Sequence, residues 1–379
     1  MKVVVVTSLS SSVLNFRKEF LLLLVEEGHE VWVLAPSFSD NTKLGIEAIG
    51  CHCVCYRSAR GGFNPFLDML TLYDLTTLIR SLKPNIVFSY FSKPVVYGSL
   101  AGWLARVPRV VAMLEGLGYT YTRDRHGVFS FKHAVRVIQS GLYSIAFRVV
   151  DALIVLNKDD IADLARTTWM PNKKKIHILG PIGLDLGSFA FSPVDVSHRL
   201  RFIFIGRLIE DKGIYEFVKA ASLIKQDHAN VEFVVLGNID PSNPASLSQG
   251  SLDDYTKAGV IIHKGHVDDV YSEIKKAHIF VLPSYREGFP RSTQEAMSVG
   301  RAIITTDTAG CRDTVKEGVN GFLVPVFAIE ELVEKMRYFI NNKKAVIEMG
   351  DESYRIAYER YDVNKINTRL KDIVFGDLK

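Results

Sequence analysis

Short, unbroken apolar runs return along this chain with helical segments between them, and that alternation constrains the fold more than any other feature. Lys2–Val6 opens the series, Leu14 to Glu27 follows as an amphipathic helix ended by Gly28, and Val31–Leu34 is the next strand. Further strands are predicted at Ile86–Ser89, Val110–Met113, Ala152–Leu156 and Ile176–Leu179. The pattern then repeats near Phe202 and at Val231–Leu236, Val260–His263, Ile279–Leu282 and Ala302–Thr305. Runs with no polar alternation suit strands buried on both faces, and strands separated by helices suit parallel sheets. The prediction is an α/β chain of two doubly wound halves with a linker near Gly180–Ser192. A length of 379 residues and a hydrophobic content of 47% are enough for two cores.

The segment after Leu282 carries the chemistry. Pro283-Ser284 takes the strand into a loop, and Ser292 to Val299 reads as a helix closed by Gly300. In a parallel sheet this crossing lies at the carboxyl ends of the strands, where ligands bind, and the helix start offers N–H groups to an anion. Glu287 projects from the loop and Glu295 from the first helical turn, so carboxylates can meet hydroxyls on either side of a diphosphate. Two plainer readings stand beside this one. Ser292-Thr293-Gln294-Glu295 fits a capping box, and Glu287 beside Arg286 fits a surface ion pair.

A second anchor lies at Arg201–Gly213, RFIFIGRLIEDKG. A strand is followed by Gly206, read as permitting a tight turn, and then by Arg207 and Lys212 ahead of a helix beginning near Tyr215. Two cations after a strand can neutralise a departing diphosphate as a divalent metal would. No Asp-x-Asp spacing occurs in the chain, and no metal or other cofactor is expected.

Four motifs together, GRLIEDKG, GHVDDV at Gly265–Val270, the Glu287/Glu295 pair and AGCRDTVKEGVNGFLV at Ala309–Val324, resemble glycosyltransferase family 4. That resemblance implies retaining enzymes of the GT-B architecture, two Rossmann-like doubly wound domains facing across a cleft. It implies an acceptor-binding domain over 1–185, a nucleotide-sugar domain over 186–358, and a terminal helix over 359–379 that crosses back to the first. Carried over by position, Gly206, Arg207 and Lys212 hold the nucleotide diphosphate, and Glu287, Gly288 and Phe289 approach the donor sugar and phosphate. Glu295 bonds the ribose, and His266 and Val267 border the base, usually uracil in this subgroup.

In the first half, the serine-rich loop Thr7–Val13 lacks a glycine fingerprint, so dinucleotide binding is poorly supported. Family position directs Ser10, Ser11, Asn15 and Arg17 to the acceptor or the diphosphate. Glu115-Gly116-Leu117-Gly118 follows a strand and is similar to the subgroup that extends undecaprenyl-diphosphate-linked sugars. Many members have a His near this point, so Glu115 stands either as a catalytic or positioning carboxylate or as a strand-end cap of backbone N–H groups. Between Arg123 and Arg148, five basic residues and one acid are interleaved with Phe129, Phe131, Tyr143 and Phe147. Val135, Ile138, Leu142, Ile145 and Val149 recur there at helical spacing. The segment fits an anionic membrane surface or a lipid diphosphate, and equally a core helix with a solvated basic side. No run reaches the roughly 20 apolar residues needed to span a bilayer.

The remaining composition excludes more than it assigns. A net charge of +4 gives no general footprint for nucleic acid. Cys51, Cys53 and Cys55 alternate along one strand face as packing residues, without the spacing of a zinc site. The start of the chain has no signal-peptide pattern, which fits a reducing cytoplasm. The expected function is transfer of a sugar, with N-acetylgalactosamine the first choice, from a UDP-sugar to a polyprenyl-diphosphate-linked sugar at the inner face of a bacterial membrane. A UDP-sugar epimerase of the same fold and a non-catalytic sugar-nucleotide-binding protein are the competitors.

Overall fold

The computed structural model describes residues 1–58, 64–122, 131–241, 243 and 245–378. The chain divides into two compact units. The first runs from Met1 through Thr120 and on to Ile182, and is joined by Asn364–Lys379; the second holds Gly183–Val363 and the short stretch that begins at Tyr121.

In the first unit the order is β1 (Lys2–Val6), α1 (Lys18–Glu26), β2 (Glu30–Ala35), α2 (Asp40–Ala48), β3 (His52–Cys55), α3 (Pro65–Leu82) and β4 (Ile86–Tyr90). It continues with α4 (Ser92–Leu104), β5 (Arg109–Leu114), α5 (Phe131–Ala146), β6 (Ala152–Val155), α6 (Lys158–Thr167) and β7 (Ile176–Ile178). The seven strands are parallel in the order β3-β2-β1-β4-β5-β6-β7. Val3 to Val6 are at most 1% exposed, as expected for a central strand covered on both faces. Winding reverses between β1 and β4, which makes the carboxyl ends of those strands the switch point where doubly wound folds bind ligands.

The second unit runs β8 (Arg201–Ile205), α7 (Ile214–Asp227), β9 (Glu232–Leu236), α8 (Gln249–Lys257), β10 (Ile262–Gly265), α9 (Val270–Lys275) and β11 (Ile279–Leu282). Then come α10 (Arg291–Ser298), β12 (Ala302–Thr306), β13 (Gly321–Val324), α11 (Ile329–Asn341) and α12 (Lys343–Arg360). Its six strands lie in the order β10-β9-β8-β11-β12-β13, with the switch point between β8 and β11. The final helix, α13 (Val363–Phe375), packs on the first unit. Arg109 donates from Nε to the Val374 carbonyl at 2.7 Å and from Nη2 to that of Ile373 at 2.8 Å. The Phe375 ring lies 4.7 Å from His29.

Three local expectations are corrected, and one strand was not anticipated. The helix expected from Leu14 is preceded by a π-helical turn, Val13–Arg17, so the α-helix begins only at Lys18. The strand β13 escaped the sequence reading because its run begins with glycine and carries only three apolar residues. The three cysteines do not pack as a set: β3 is an edge strand, and burial fades from Cys51 to an exposed Cys55. Burial pushes the Cys51 thiol up to about 12 and that of Cys53 to about 11, which keeps both protonated. Finally, the backbone at Gly206 has no positive φ, and it is Gly213, at φ 76°, that makes the left-handed entry to α7.

Candidate active site

The second unit gathers its candidate residues at the β8/β11 switch point. After β8 the chain passes Arg207 and makes a single 3-10 turn, Glu210–Lys212, before Gly213 turns it into α7. A Cβ on Gly213 would collide with the Pro283 carbonyl, so glycine is what lets the Lys212 turn lie against the loop after β11. Two hydrogen bonds join these segments, from Tyr285 N–H to the Asp211 carbonyl at 2.8 Å and from the Ser284 hydroxyl to the same oxygen at 2.9 Å. Lys212 Nζ then lies 2.5 Å from Glu287 Oε1, and the Ser284 hydroxyl sits 2.8 Å from that oxygen. Glu287 is therefore not the partner of Arg286. Its carboxylate is 11% exposed and is held by a lysine from the other strand end.

The opposite side of the loop is fixed by the turn after β12. Glu287 N–H donates to the Ala309 carbonyl at 3.0 Å, and the Thr308 hydroxyl donates to that of Tyr285 at 2.9 Å. The Thr306 hydroxyl donates to the Ser284 carbonyl. Gly310 lies so close to the Glu287 carbonyl that a side chain there would displace it. Below the loop, Tyr285 donates its hydroxyl to the Glu216 carboxylate at 2.9 Å, on a residue 1% exposed. Loop position is thus over-determined from three elements, as a preorganised site requires.

Glu295 is not a capping-box residue. Pro290 occupies the cap position with no side-chain bond, and Glu295 instead accepts from Arg291 Nε at 2.9 Å across one turn. Burial pushes the Glu295 carboxyl above the usual range, and the Arg291 charge offsets that only in part. Arg207 is 61% exposed and pairs with Asp240 at 3.2 Å, an interaction worth little in solvent. Gly288 and Phe289 are buried. His266 is exposed after the edge strand β10 and meets Asp268 at 3.8 Å, so the contacts do not bring it to the Lys212–Glu287 pair.

In the first unit the switch point holds a hydroxyl cluster beside a buried ion pair. Ser12 and Tyr90 share a hydrogen bond of 2.9 Å, and Tyr56 donates to the Thr7 carbonyl at 2.9 Å. Ser10 and Ser11 are half-buried, and Asn15 is exposed. The π-turn widens the backbone just before α1 and directs Arg17, 1% exposed, inward onto Glu115. Its guanidinium carbon also lies 5.6 Å from the Tyr90 ring centre. Glu115 therefore serves as the counter-charge of Arg17 and not as a cap of backbone N–H groups; Gly116 follows it at φ 121°. Breaking such a pair from either side costs several kcal/mol, about 3–5.

Helix α5 does not present the expected stripe to the core. Ser140, Tyr143 and Ala146 face inward, whereas Val137, Ile138 and Ile145 are 58%, 45% and 49% exposed. Val135, Leu142 and Val149 are half-buried. Arg148 stacks over Trp169, itself 45% exposed, at 5.4 Å. Arg136 donates to the Thr120 carbonyl at 2.6 Å. Arg123, Asp124, Arg125 and Phe129 of that stretch lie outside the described residues, as does the side chain of Phe131. Among the described residues no helix is long and apolar enough to cross a membrane, and no cluster of three His, Cys, Asp or Glu is placed to hold a metal.

Sequence reasoning missed Ser284, Arg291, Asp240, Thr306, Thr308 and Gly310. Arg291 stands at i,i+4 spacing from Glu295, a usable signal. The others act through loop contacts between distant segments, for which a single sequence gives no pattern.

Comparison with known proteins follows the same division of the chain. The family model of glycosyl transferases group 1 matches residues 192–356, and that of the glycosyl transferase 4-like family matches residues 3–157. A relative in Campylobacter jejuni, N,N'-diacetylbacillosaminyl-diphospho-undecaprenol alpha-1,3-N-acetylgalactosaminyltransferase, is 27% identical over 374 residues, covering 95% of this chain and 94% of that one. The Escherichia coli UDP-Gal:alpha-D-GlcNAc-diphosphoundecaprenol alpha-1,3-galactosyltransferase is 27% identical over 318 residues, covering 81% and 79%. Among solved structures, Anabaena Alr3699/HepE in complex with UDP superposes with a TM-score of 0.76 at 17% identity, covering 98% of this chain and 99% of that one.

Proposed function

Because the chain belongs to the glycosyl transferases of group 1 and the 4-like family, with the GT-B fold, we propose that it is a retaining transferase. It moves an N-acetylhexosamine, N-acetylgalactosamine first, from a UDP-sugar to a polyprenyl-diphosphate-linked sugar. The observation that carries the reading is the Lys212–Glu287 pair at the β8/β11 switch point, with Glu295 on the helix that follows. Lys212 and Arg207 take up the charge of the leaving diphosphate as the bond to the sugar breaks, Arg207 exchanging Asp240 for phosphate oxygens. Glu287 holds sugar hydroxyls and Glu295 the ribose; Gly288 and Phe289 shape the floor, and His266 and Val267 border the base. The Ser10, Ser11 and Asn15 loop and the Arg17–Glu115 pair line the acceptor side. Cation chemistry is supplied by side chains, so turnover is expected to persist in excess chelator.

The names of the two bacterial relatives, both acting on undecaprenyl-diphosphate-linked sugars, support a lipid-linked acceptor and a role in surface or glycoprotein glycan assembly. The outward apolar face of α5, flanked by Arg148 and Trp169, supports peripheral attachment to an anionic membrane on its cytoplasmic side. The test is incubation with a panel of UDP-sugars and a synthetic polyprenyl-diphosphate monosaccharide. Acceptor extended by one sugar with retained anomeric configuration is expected. Conversion of the UDP-sugar without acceptor would assign an epimerase, and UDP-sugar binding with no turnover would leave a binding protein.

A further inference from the structure

The chain crosses between the two units after Ile182 and again after Val363, and inside the second unit these segments meet at one residue. Leu184 N–H donates to the Tyr361 carbonyl at 2.8 Å, and Val363 N–H donates to the Leu184 carbonyl at 3.0 Å. Leu184 and Asp362 thereby form a parallel bridge. Tyr361 caps the C-terminal end of α12, and its side chain is fully buried. Its ring meets Phe289 edge-on, with centroids 5.8 Å apart and planes at 81°. Its hydroxyl reaches Met297 Sδ at 3.5 Å. Phe289 stands two residues beyond Glu287 in the loop, and Met297 two residues beyond Glu295 on α10.

We propose that Tyr361 is a positioning residue for the donor site, holding the loop of Glu287 and the helix of Glu295 in register with each other and with the crossing segments. The proposal rests on reading those glutamates as donor ligands. One buried ring touches both elements that carry them, and the carbonyl of the same residue accepts from Leu184 N–H on the other crossing segment. Close-packed interiors pass small displacements on to their neighbours, so a smaller side chain at 361 lets Phe289 settle inward and moves the Glu287 loop. Among the described residues the hydroxyl meets only a thioether at that end, a weak acceptor, so the ring and not the hydrogen bond is the main device. Phenylalanine should therefore substitute for it, and leucine should not.

The experiment measures UDP affinity by calorimetry, and kcat and KM per UDP-binding molecule with the UDP-sugar the parent turns over, for Tyr361→Phe, Tyr361→Leu, Phe289→Leu and the double leucine variant. Tyr361→Leu is expected to keep UDP affinity within about threefold and to lose about 10- to 100-fold in kcat, the range for a small misplacement of reacting groups. Tyr361→Phe should restore kcat, and the double variant should be no worse than either single one. A residue that only stabilises the fold would lower the number of binding molecules and leave their turnover unchanged. Full turnover by Tyr361→Leu with UDP bound, or additive losses in the double variant, overturns the proposal alone. A parent that does not bind UDP overturns the donor-site reading and the proposal with it. Should Tyr361→Leu not fold, Phe289→Leu removes the same contact from the loop side, and unchanged kcat there is equally decisive against it.

Discussion

Lys212 and Glu287 lie 2.5 Å apart, and each is the other's counter-charge. On the proposed function, Lys212→Ala removes a partly enclosed cation from the leaving-group side and leaves Glu287 without its counter-charge; kcat is expected to fall by about 10²–10³, the range for losing one preorganised charge-stabilising group. On the same proposal, in which the sugar and not the nucleotide is the partner of Glu287, Glu287→Gln should lower kcat similarly while UDP affinity changes little; a variant that loses UDP binding in parallel would refute that division. Glu295 gives a prediction in stability as well. Its folded pKa is raised by burial, so the fold favours the protonated acid and loses stability as pH climbs through the unfolded carboxylate range toward the raised value. Glu295→Gln abolishes that penalty. Its melting temperature relative to the parent should therefore rise as pH climbs above the unfolded carboxylate value of about 4.3, while its affinity for UDP drops. A gap that stays flat with pH would mean that the carboxylate is not penalised in the fold.

At the scale of elements, most strands were legible as short apolar runs; β10, expected at Val260–His263, lies at Ile262–Gly265 on the sheet edge, where His263 and Lys264 break the run, and β13 was missed because Gly321 begins a run of only three apolar residues. The loops around Glu287 were half legible. Glu287, Arg207 and Lys212 could be picked out by their place after strands, but Ser284, Thr306 and Gly310 matter through contacts made only when β8, β11 and β12 lie side by side. The π-turn at Val13–Arg17 leaves no periodic trace, because one widened turn is too short to shift the pattern of α1. Helix α5 shows a limit of another kind: spacing identifies a stripe but not the side on which it lies. With Val137, Ile138 and Ile145 turned outward, Val137→Ser with Ile138→Ser and Ile145→Ser should leave the melting temperature nearly unchanged and reduce binding to anionic vesicles. The apparent KM for a long-chain lipid acceptor should rise, and that for a short soluble analogue should not. Equal vesicle sedimentation by parent and variant at low salt would remove α5 from the membrane contact.

At the scale of the whole chain, the first unit is completed by residues that come last in sequence. Leu370 and Val374 of α13 are fully buried, Ile366 and Phe375 nearly so, and Arg369 donates to the Ile178 carbonyl at the end of β7 at 2.7 Å. Burying such side chains contributes about 1.5–3 kcal/mol each, so together they rival the whole stability of an ordinary domain, about 5–15 kcal/mol. Arg109 would also lose the two carbonyls it now meets on α13, and its guanidinium at the start of β5 would face solvent instead. A chain ended at Val363 is therefore expected to lose the cooperative melting of its first unit. The second unit keeps every residue from Gly183 through Val363, the Tyr361–Leu184 bridge among them, and should retain its own transition and its affinity for UDP. Scanning calorimetry with and without UDP reads both. An unaltered first transition in the shortened chain would show that α13 rests on a unit already stable by itself, and loss of UDP binding would show that the nucleotide needs more than the second unit.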